Sequence, residues 1–182
     1  MIRNVPELKA LIDAGTPVVH LKIGECIITS EPVLISTVLG SCVSVTFHHP
    51  KTHMSAMFHA MLPSKEGNRS SQGVCAFADK AVESLVMRYQ TLGIRLSQLE
   101  VKIFGGANTM RSKEREKLGD ILDVGRKNAN IAIAELAKYG IKPSARDILG
   151  DRGRKVLFHV ATGEIWVKFV DARGQDEAVC RY

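Results

Sequence analysis

Two apolar, β-branched runs, residues 34–39 and 43–47, are separated by only Gly40, Ser41 and Cys42. β-Branched side chains are stiff at χ1 and favour extended backbone, so both runs read as strands and the chain has to turn at the glycine. A turn this tight presents the residue at its exit, and here that residue is a cysteine. Further on, His59 stands alone among apolar neighbours in Ala56-Met57-Phe58-His59-Ala60-Met61-Leu62-Pro63, where a returning strand would bring it beside Cys42. A cysteine and a histidine within hydrogen-bond reach form a thiolate and a general base at neutral pH. Taken alone, each residue reads as well another way: Cys42 as a small buried hydrophobe, His59 as a satisfied core histidine.

The rest of the chain frames that bend. Residues 6–14 predict a short amphipathic helix ended by Gly15-Thr16-Pro17, and residues 18–23 and 27–28 predict extended segments. Residues 48–53, His-His-Pro-Lys-Thr-His, predict a polar turn. Phe77, Ala81, Leu85, Val86 and Tyr89 recur at helical spacing, which predicts a core-facing helix over 76–92 stopped at Gly93. Residues 101–104 predict a strand running into Gly105-Gly106, residues 111–118 a charged connection, and residues 121–139 a second long helix. Alternation returns in 155–160 and 164–170 around Thr162-Gly163, a hairpin signal. Strands at both ends with two long helices between them predict an α+β fold: one domain over 1–182, a mixed or antiparallel sheet flanked by helices. Residues 1–20 read as a helix and lead-in, and 171–182 as a flexible tail.

Composition removes several classes. The 182 residues suffice for a substantial core without staples. Four cysteines at 26, 42, 75 and 180 form no CxxC pair, so neither a disulfide framework nor a zinc site is suggested, and a reduced cytoplasm is the expected setting. The first twenty residues are broken by Glu7, Lys9 and Asp13 and carry no readable secretory signal, and no uncharged apolar stretch is long enough to span a membrane. The net charge of +6 favours an acidic partner, but one Trp and three Tyr offer little for base stacking, so nucleic acid is not expected.

The remaining motifs are weaker. His48, His49 and His53 lack thiolate or carboxylate partners at matching spacing and read as a solvated turn rather than a metal site. Gly105-Gly106 follows a strand without a phosphate-binding pattern around it, which points to a tight turn or a close backbone approach. Arg152, Arg154 and Lys155 read as an exposed basic turn. Cys26, Cys75 and Cys180 have no histidine at a suggestive spacing. Residues 63–73 hold almost nothing to bury and read as a mobile surface loop beside the Cys42 site.

Read together, Thr37-Val38-Leu39-Gly40-Ser41-Cys42-Val43-Ser44-Val45, His59-Ala60-Met61-Leu62-Pro63, Phe104-Gly105-Gly106-Ala107, Gly125-Arg126-Lys127-Asn128, and Gly153-Arg154-Lys155-Val156 followed by Thr162-Gly163 and Val167-Lys168 resemble the CheD family of bacterial chemotaxis. The resemblance runs in order over about residues 21–170, and the combination is far more specific than any one motif.

The resemblance implies a cysteine hydrolase that converts glutamine side chains of methyl-accepting chemotaxis receptors to glutamate, some members also hydrolysing glutamyl methyl esters. It places the nucleophile at Cys42, the base at His59 and the third member at Thr37, with Ser36 as the alternative. Backbone amides at Ser41 and Cys42 are expected to hold the oxyanion. The implied fold is that of the cytotoxic necrotizing factor catalytic domain, no cofactor or metal is called for, and a CheC-type phosphatase is a partner of some members. A second class of function, a binding module regulating such a phosphatase or docking on receptors, stands beside the enzymatic one. The chain departs from the family pattern at His49, at Ser55-Ala56 and at Leu149, all outside the Cys-His-Thr set, which bears on loop geometry and substrate choice.

Overall fold

The computed structural model describes residues 5–65, 73–108, 124–170 and 179–182. Helix α1 (Pro6–Asp13) starts on a proline, whose missing N–H costs nothing in a first turn. Strands β1 (Val18–His20), β2 (Cys26–Thr29), β3 (Leu34–Leu39), β4 (Val43–His48) and β5 (Ser55–Phe58) follow. Helix α2 (Ala78–Thr91) buries Ala78, Ala81, Val82, Leu85, Val86 and Tyr89, one face at helical spacing. Then come β6 (Glu100–Gly105), α3 (Val124–Lys138), β7 (Ala145–Ile148), β8 (Gly153–His159), β9 (Ile165–Val170) and β10 (Val179–Arg181).

The strands make two mixed sheets of five. The first has the order β1-β3-β8-β9-β10 and is antiparallel except for the β1/β3 pair. The second has the order β2-β5-β4-β6-β7 and is antiparallel except for β6/β7. Because side chains alternate along a strand, each sheet has two apolar faces to cover. Ile35, Leu39, Val156, Phe158 and Val167 of the first sheet pack on Met57 and Phe104 of the second. On its outer face the first sheet packs Leu34, Leu157 and Trp166 on Leu8 of α1. The second covers its outer face, with Val43, Val45, Phe47, Phe58, Val101 and Ile103, by α2 and α3. The result is four layers, helix, sheet, sheet, helix pair, an α+β fold as the element order predicts. The sequence reading places one sheet where there are two, because alternation along a strand reveals two buried faces but not which strand neighbours which.

Two strands escape the sequence reading. β7 is short and polar, and β10 falls in the stretch read as a flexible tail, yet Val179, Cys180 and Arg181 pair with Lys168, Val167 and Trp166. The charged connection over 111–118, most of the 63–73 loop and the first three residues of the helix predicted over 121–139 lie outside the described residues. Among the described residues no helix is long and apolar enough to cross a membrane.

Candidate active site

The Gly40-Ser41-Cys42 bend is the passage from one sheet to the other: β3 ends in the first sheet and β4 starts in the second. Three donors hold its carbonyls. Ala107 N–H donates to Gly40 O at 2.9 Å, Gly106 N–H to Cys42 O at 2.7 Å, and the Asn128 Nδ2 of α3 to Ser41 O at 2.9 Å. The glycine pair is what admits this closeness. At Gly105, φ is 102° and a Cβ would lie 2.2 Å from Cys42 O; at Gly106, φ is 66° and a Cβ would lie 2.8 Å from Gly125 O. Gly125 in turn would place a Cβ 2.6 Å from the carbonyls of Gly106 and Ala107, so a backbone approach, not a phosphate cradle, is the use of these glycines.

His59 lies just beyond β5. Its carbonyl accepts from Gly24 N–H at 2.8 Å and its own N–H donates to Glu25 O at 3.0 Å, while the next residue, Ala60, exchanges two 2.9 Å bonds with Val43. Val43 and Ala60 face the helices, and side chains one position away face the other sheet. Cys42, partly exposed, packs against the inter-sheet core, and His59 reaches across the same interface to Thr37 of β3. The two sheets thus supply one group each, and the crossover supplies the thiol.

The Thr37–His59 contact has a defined polarity. Thr37 Oγ1 lies 2.9 Å from Leu21 O and 2.8 Å from His59 Nδ1. A carbonyl only accepts, and a hydroxyl has one hydrogen. That hydrogen goes to Leu21, so Thr37 accepts from an Nδ1–H, and the neutral imidazole keeps its lone pair on Nε2. This Nε2 is buried and meets no hydrogen-bond partner among the described residues. Thr37 and His59 are 4% and 3% exposed, and burial pulls the His59 pKa below its ordinary value, the Leu21 carbonyl opposing this. Burial also pushes the Cys42 thiol above its ordinary value, against the pull of its own backbone amide. Desolvation disfavours both charges, so both shifts run against the ion pair that residue types alone suggest. Ser36, the alternative to Thr37, is one position off in β3 and faces the α1 side with Leu34.

The structure corrects other expectations. His48 and His49 are buried rather than solvated, 4% and 5% exposed. Their Nδ1 atoms lie 2.8 Å from Ser55 Oγ and 2.7 Å from Thr52 Oγ1. His48 is already the last residue of β4, and His53 turns the chain with φ 56°. Arg154 is likewise buried, 2.8 Å from the Asp147 carboxylate and bonded to the carbonyls of Arg152 and Leu149. Cys26 and Cys75 meet: a hydrogen bond from Cys75 lowers the Cys26 thiol to about 7 against the opposing effect of burial. Asn128, quoted in a motif without a role, proves to join the site. It is fully buried, and its Nδ2 also donates to Met61 O at 3.1 Å; an Asn inside a helix, where it is a poor former, was the available signal.

The family described as "CheD chemotactic sensory transduction" matches residues 61–169 of the chain. Three relatives are similar along most of their length. The "Probable chemoreceptor glutamine deamidase CheD" of Nitratidesulfovibrio vulgaris is 48% identical over 92% of this chain and 85% of its own. The protein so named in Oleidesulfovibrio alaskensis is 43% identical over 92% and 82%. The "Chemoreceptor glutamine deamidase CheD" of Thermotoga maritima is 35% identical over 85% and 94%. Among solved structures, the hypothetical protein YfiH of Bacillus licheniformis covers 70% of this chain and 51% of its own at TM-score 0.44 and 14% identity, a likeness too loose to bear on the site. By the match over 61–169 and the identity sustained across most of its length, the chain belongs to the CheD family.

Proposed function

We propose that the chain is a glutamine deamidase of chemoreceptors, with Cys42 as nucleophile, His59 as general base and acid, and Thr37 as the group that sets the imidazole. The observation that carries this reading is the buried His59, hydrogen-bonded through Nδ1 to Thr37 and with its Nε2 unpartnered among the described residues, at the interface where Cys42 enters. His49 also carries a buried Nε2 without a partner among the described residues; what sets His59 apart is its place beside the Gly40–Cys42 crossover, across the inter-sheet core from Thr37 of β3.

In the proposed sequence the glutamine carboxamide enters beside Cys42. His59 Nε2 takes the thiol proton as sulfur bonds to the amide carbon, giving a tetrahedral oxyanion. The Ser41 and Cys42 amides donate to that oxygen. His59 then passes its proton to the nitrogen, the C–N bond breaks and ammonia leaves a thioester. Water, deprotonated by His59, attacks the thioester; the C–S bond breaks, the thiol recovers its proton and glutamate is released. Because desolvation disfavours both charges, the proposed proton transfer accompanies substrate entry rather than preceding it. The same steps with methanol as leaving group describe glutamyl methyl ester hydrolysis, a second activity of the same site. A CheC-type phosphatase competing for this cleft is the regulatory partner to test, and the cytoplasm is the proposed setting, where the helical signalling bundle of a receptor is within reach.

The test is mass spectrometry of a chemoreceptor cytoplasmic fragment incubated with the chain and with Cys42→Ala. A gain of about one mass unit per converted glutamine, absent with the variant, is the expected result. Equal turnover by Cys42→Ala, or none by the unaltered chain on receptors that bind it, removes the reading and leaves the binding-module alternative.

A further inference from the structure

The peptide units of the crossover are fixed in sequence. Gly40 O is held by Ala107 N–H, Ser41 O by Asn128 Nδ2 and Cys42 O by Gly106 N–H. All peptide bonds described are trans, and a trans unit points its N–H opposite to its C=O. With the Gly40 and Ser41 carbonyls turned toward the 105–107 turn and α3, the Ser41 and Cys42 amides face the other way. Neither donates to a carbonyl of the described residues. Two of the three donors are main chain and would survive many substitutions; the middle one is a side chain.

That side chain is oriented by chemistry. Both neighbours are carbonyls, so only the NH2 end of Asn128 satisfies them. Its two bonds reach Ser41, next to Cys42, and Met61, two residues after His59. Its Oδ1 is buried without a partner, a standing penalty that an apolar residue would avoid, and an Asn in a helix earns no propensity in return.

We infer that Asn128 is a positioning residue: it locks the Ser41–Cys42 peptide so that the Cys42 amide faces the developing oxyanion, and through Met61 keeps the His59 segment in register with the crossover. This rests on the deamidase reading above.

The experiment compares Asn128→Ala and Asn128→Ser, the latter offering a shorter hydroxyl donor, in two reactions. Deamidation passes through an oxyanion; alkylation of Cys42 by iodoacetamide, followed on the Cys42 peptide by mass spectrometry, does not. The expected result for Asn128→Ala is a fall in deamidation kcat of about 10²–10³-fold, with KM and Cys42 alkylation changed less than about threefold and part of kcat recovered in Asn128→Ser. An unchanged kcat, or equal losses in both reactions, overturns the inference. If Asn128→Ala does not melt cooperatively, Asn128→Ser carries the comparison. If the unaltered chain deamidates nothing, the deamidase reading fails by itself, and 15N NMR of Asn128→Ala, which removes both bonds, still decides the positioning. Displaced Ser41 and Cys42 amide resonances with Gly106 and Ala107 unmoved support it; unmoved Ser41 and Cys42 resonances overturn it.

Discussion

Thr37 Oγ1 stands 2.8 Å from His59 Nδ1 and 2.9 Å from the Leu21 carbonyl, and the single hydroxyl hydrogen between them selects the imidazole tautomer. In the proposed mechanism the hydroxyl would do the orienting work of a triad carboxylate without its charge. A carboxylate at this place would stabilise an imidazolium at rest; on the proposed reading a hydroxyl would leave the ring neutral until it accepts the thiol proton.

Replacing Thr37 therefore tests orientation. Thr37→Val keeps the shape and removes both bonds, which should lower deamidation kcat by about 10²-fold and stability by about 1 kcal/mol. Thr37→Ser should recover most of the activity. Steady-state kinetics on a receptor fragment with thermal melts will check this; full activity in Thr37→Val would remove Thr37 from the mechanism.

The pH response follows from the two opposite shifts. Burial lowers the His59 pKa and raises that of Cys42, so kcat/KM should rise as pH climbs through the depressed imidazole value, below the ordinary 6.5, and then hold until the thiol titrates, above the ordinary 9.0. Iodoacetamide labelling separates the cysteines: Cys42 should still be gaining rate at the ordinary thiol value, while Cys26, lowered to about 7 by Cys75, should label with a midpoint there. A Cys42 rate already maximal at neutral pH would mean a resting ion pair instead.

Gly105→Ala should disable the crossover. The substitution forces a Cβ to within 2.2 Å of Cys42 O at a φ of 102°, and strain of this kind costs about 1–3 kcal/mol before any clash is relieved. Relief requires moving the Cys42 carbonyl off Gly106. The expected outcome is a lower melting temperature together with a loss of activity out of proportion to the unfolded fraction, measured on the same sample.

Leu149→Gly should do the reverse. Leu149 has φ 66°, a left-handed conformation that disfavours a leucine by roughly 1–2 kcal/mol, and its backbone is held there by the bond from its N–H to Gly105 O and by Arg154 at its carbonyl. Glycine removes the strain and adds freedom to the unfolded chain, for a net gain of about 1 kcal/mol. Denaturant midpoints of the two proteins will measure it; a loss of stability would show that the partly buried leucine side chain contributes more than its backbone forfeits.

Local elements were legible because local physics decides them. The β-branched runs on either side of Gly40 became β3 and β4, and the spacing from Phe77 to Tyr89 became α2 with its buried face. The burial of Arg154 was not legible, since its charge is compensated by Asp147 from another sheet. Nor was that of His48, whose imidazole hydrogen-bonds Ser55 across the β4/β5 pair. In each case the partner that makes burial tolerable lies only seven residues away but is brought into place by strand pairing or by the packing of one sheet on the other.

By itself the sequence determined which residues could do the chemistry. A cysteine at the exit of a glycine bend, an isolated histidine among apolar residues and a threonine on the preceding strand are properties of residue type and local conformation, fixed before any long-range contact forms. Only the tertiary structure decided that the bend is a crossover between two sheets, that Thr37 and His59 meet across the inter-sheet core with one tautomer, and that Asn128 of a distant helix bonds the Ser41 and Met61 carbonyls beside them. Those are matters of which strands pair and of what is withdrawn from water together. Desolvation and hydrogen-bond direction depend on neighbours brought from far along the chain, and no local stretch of sequence contains them.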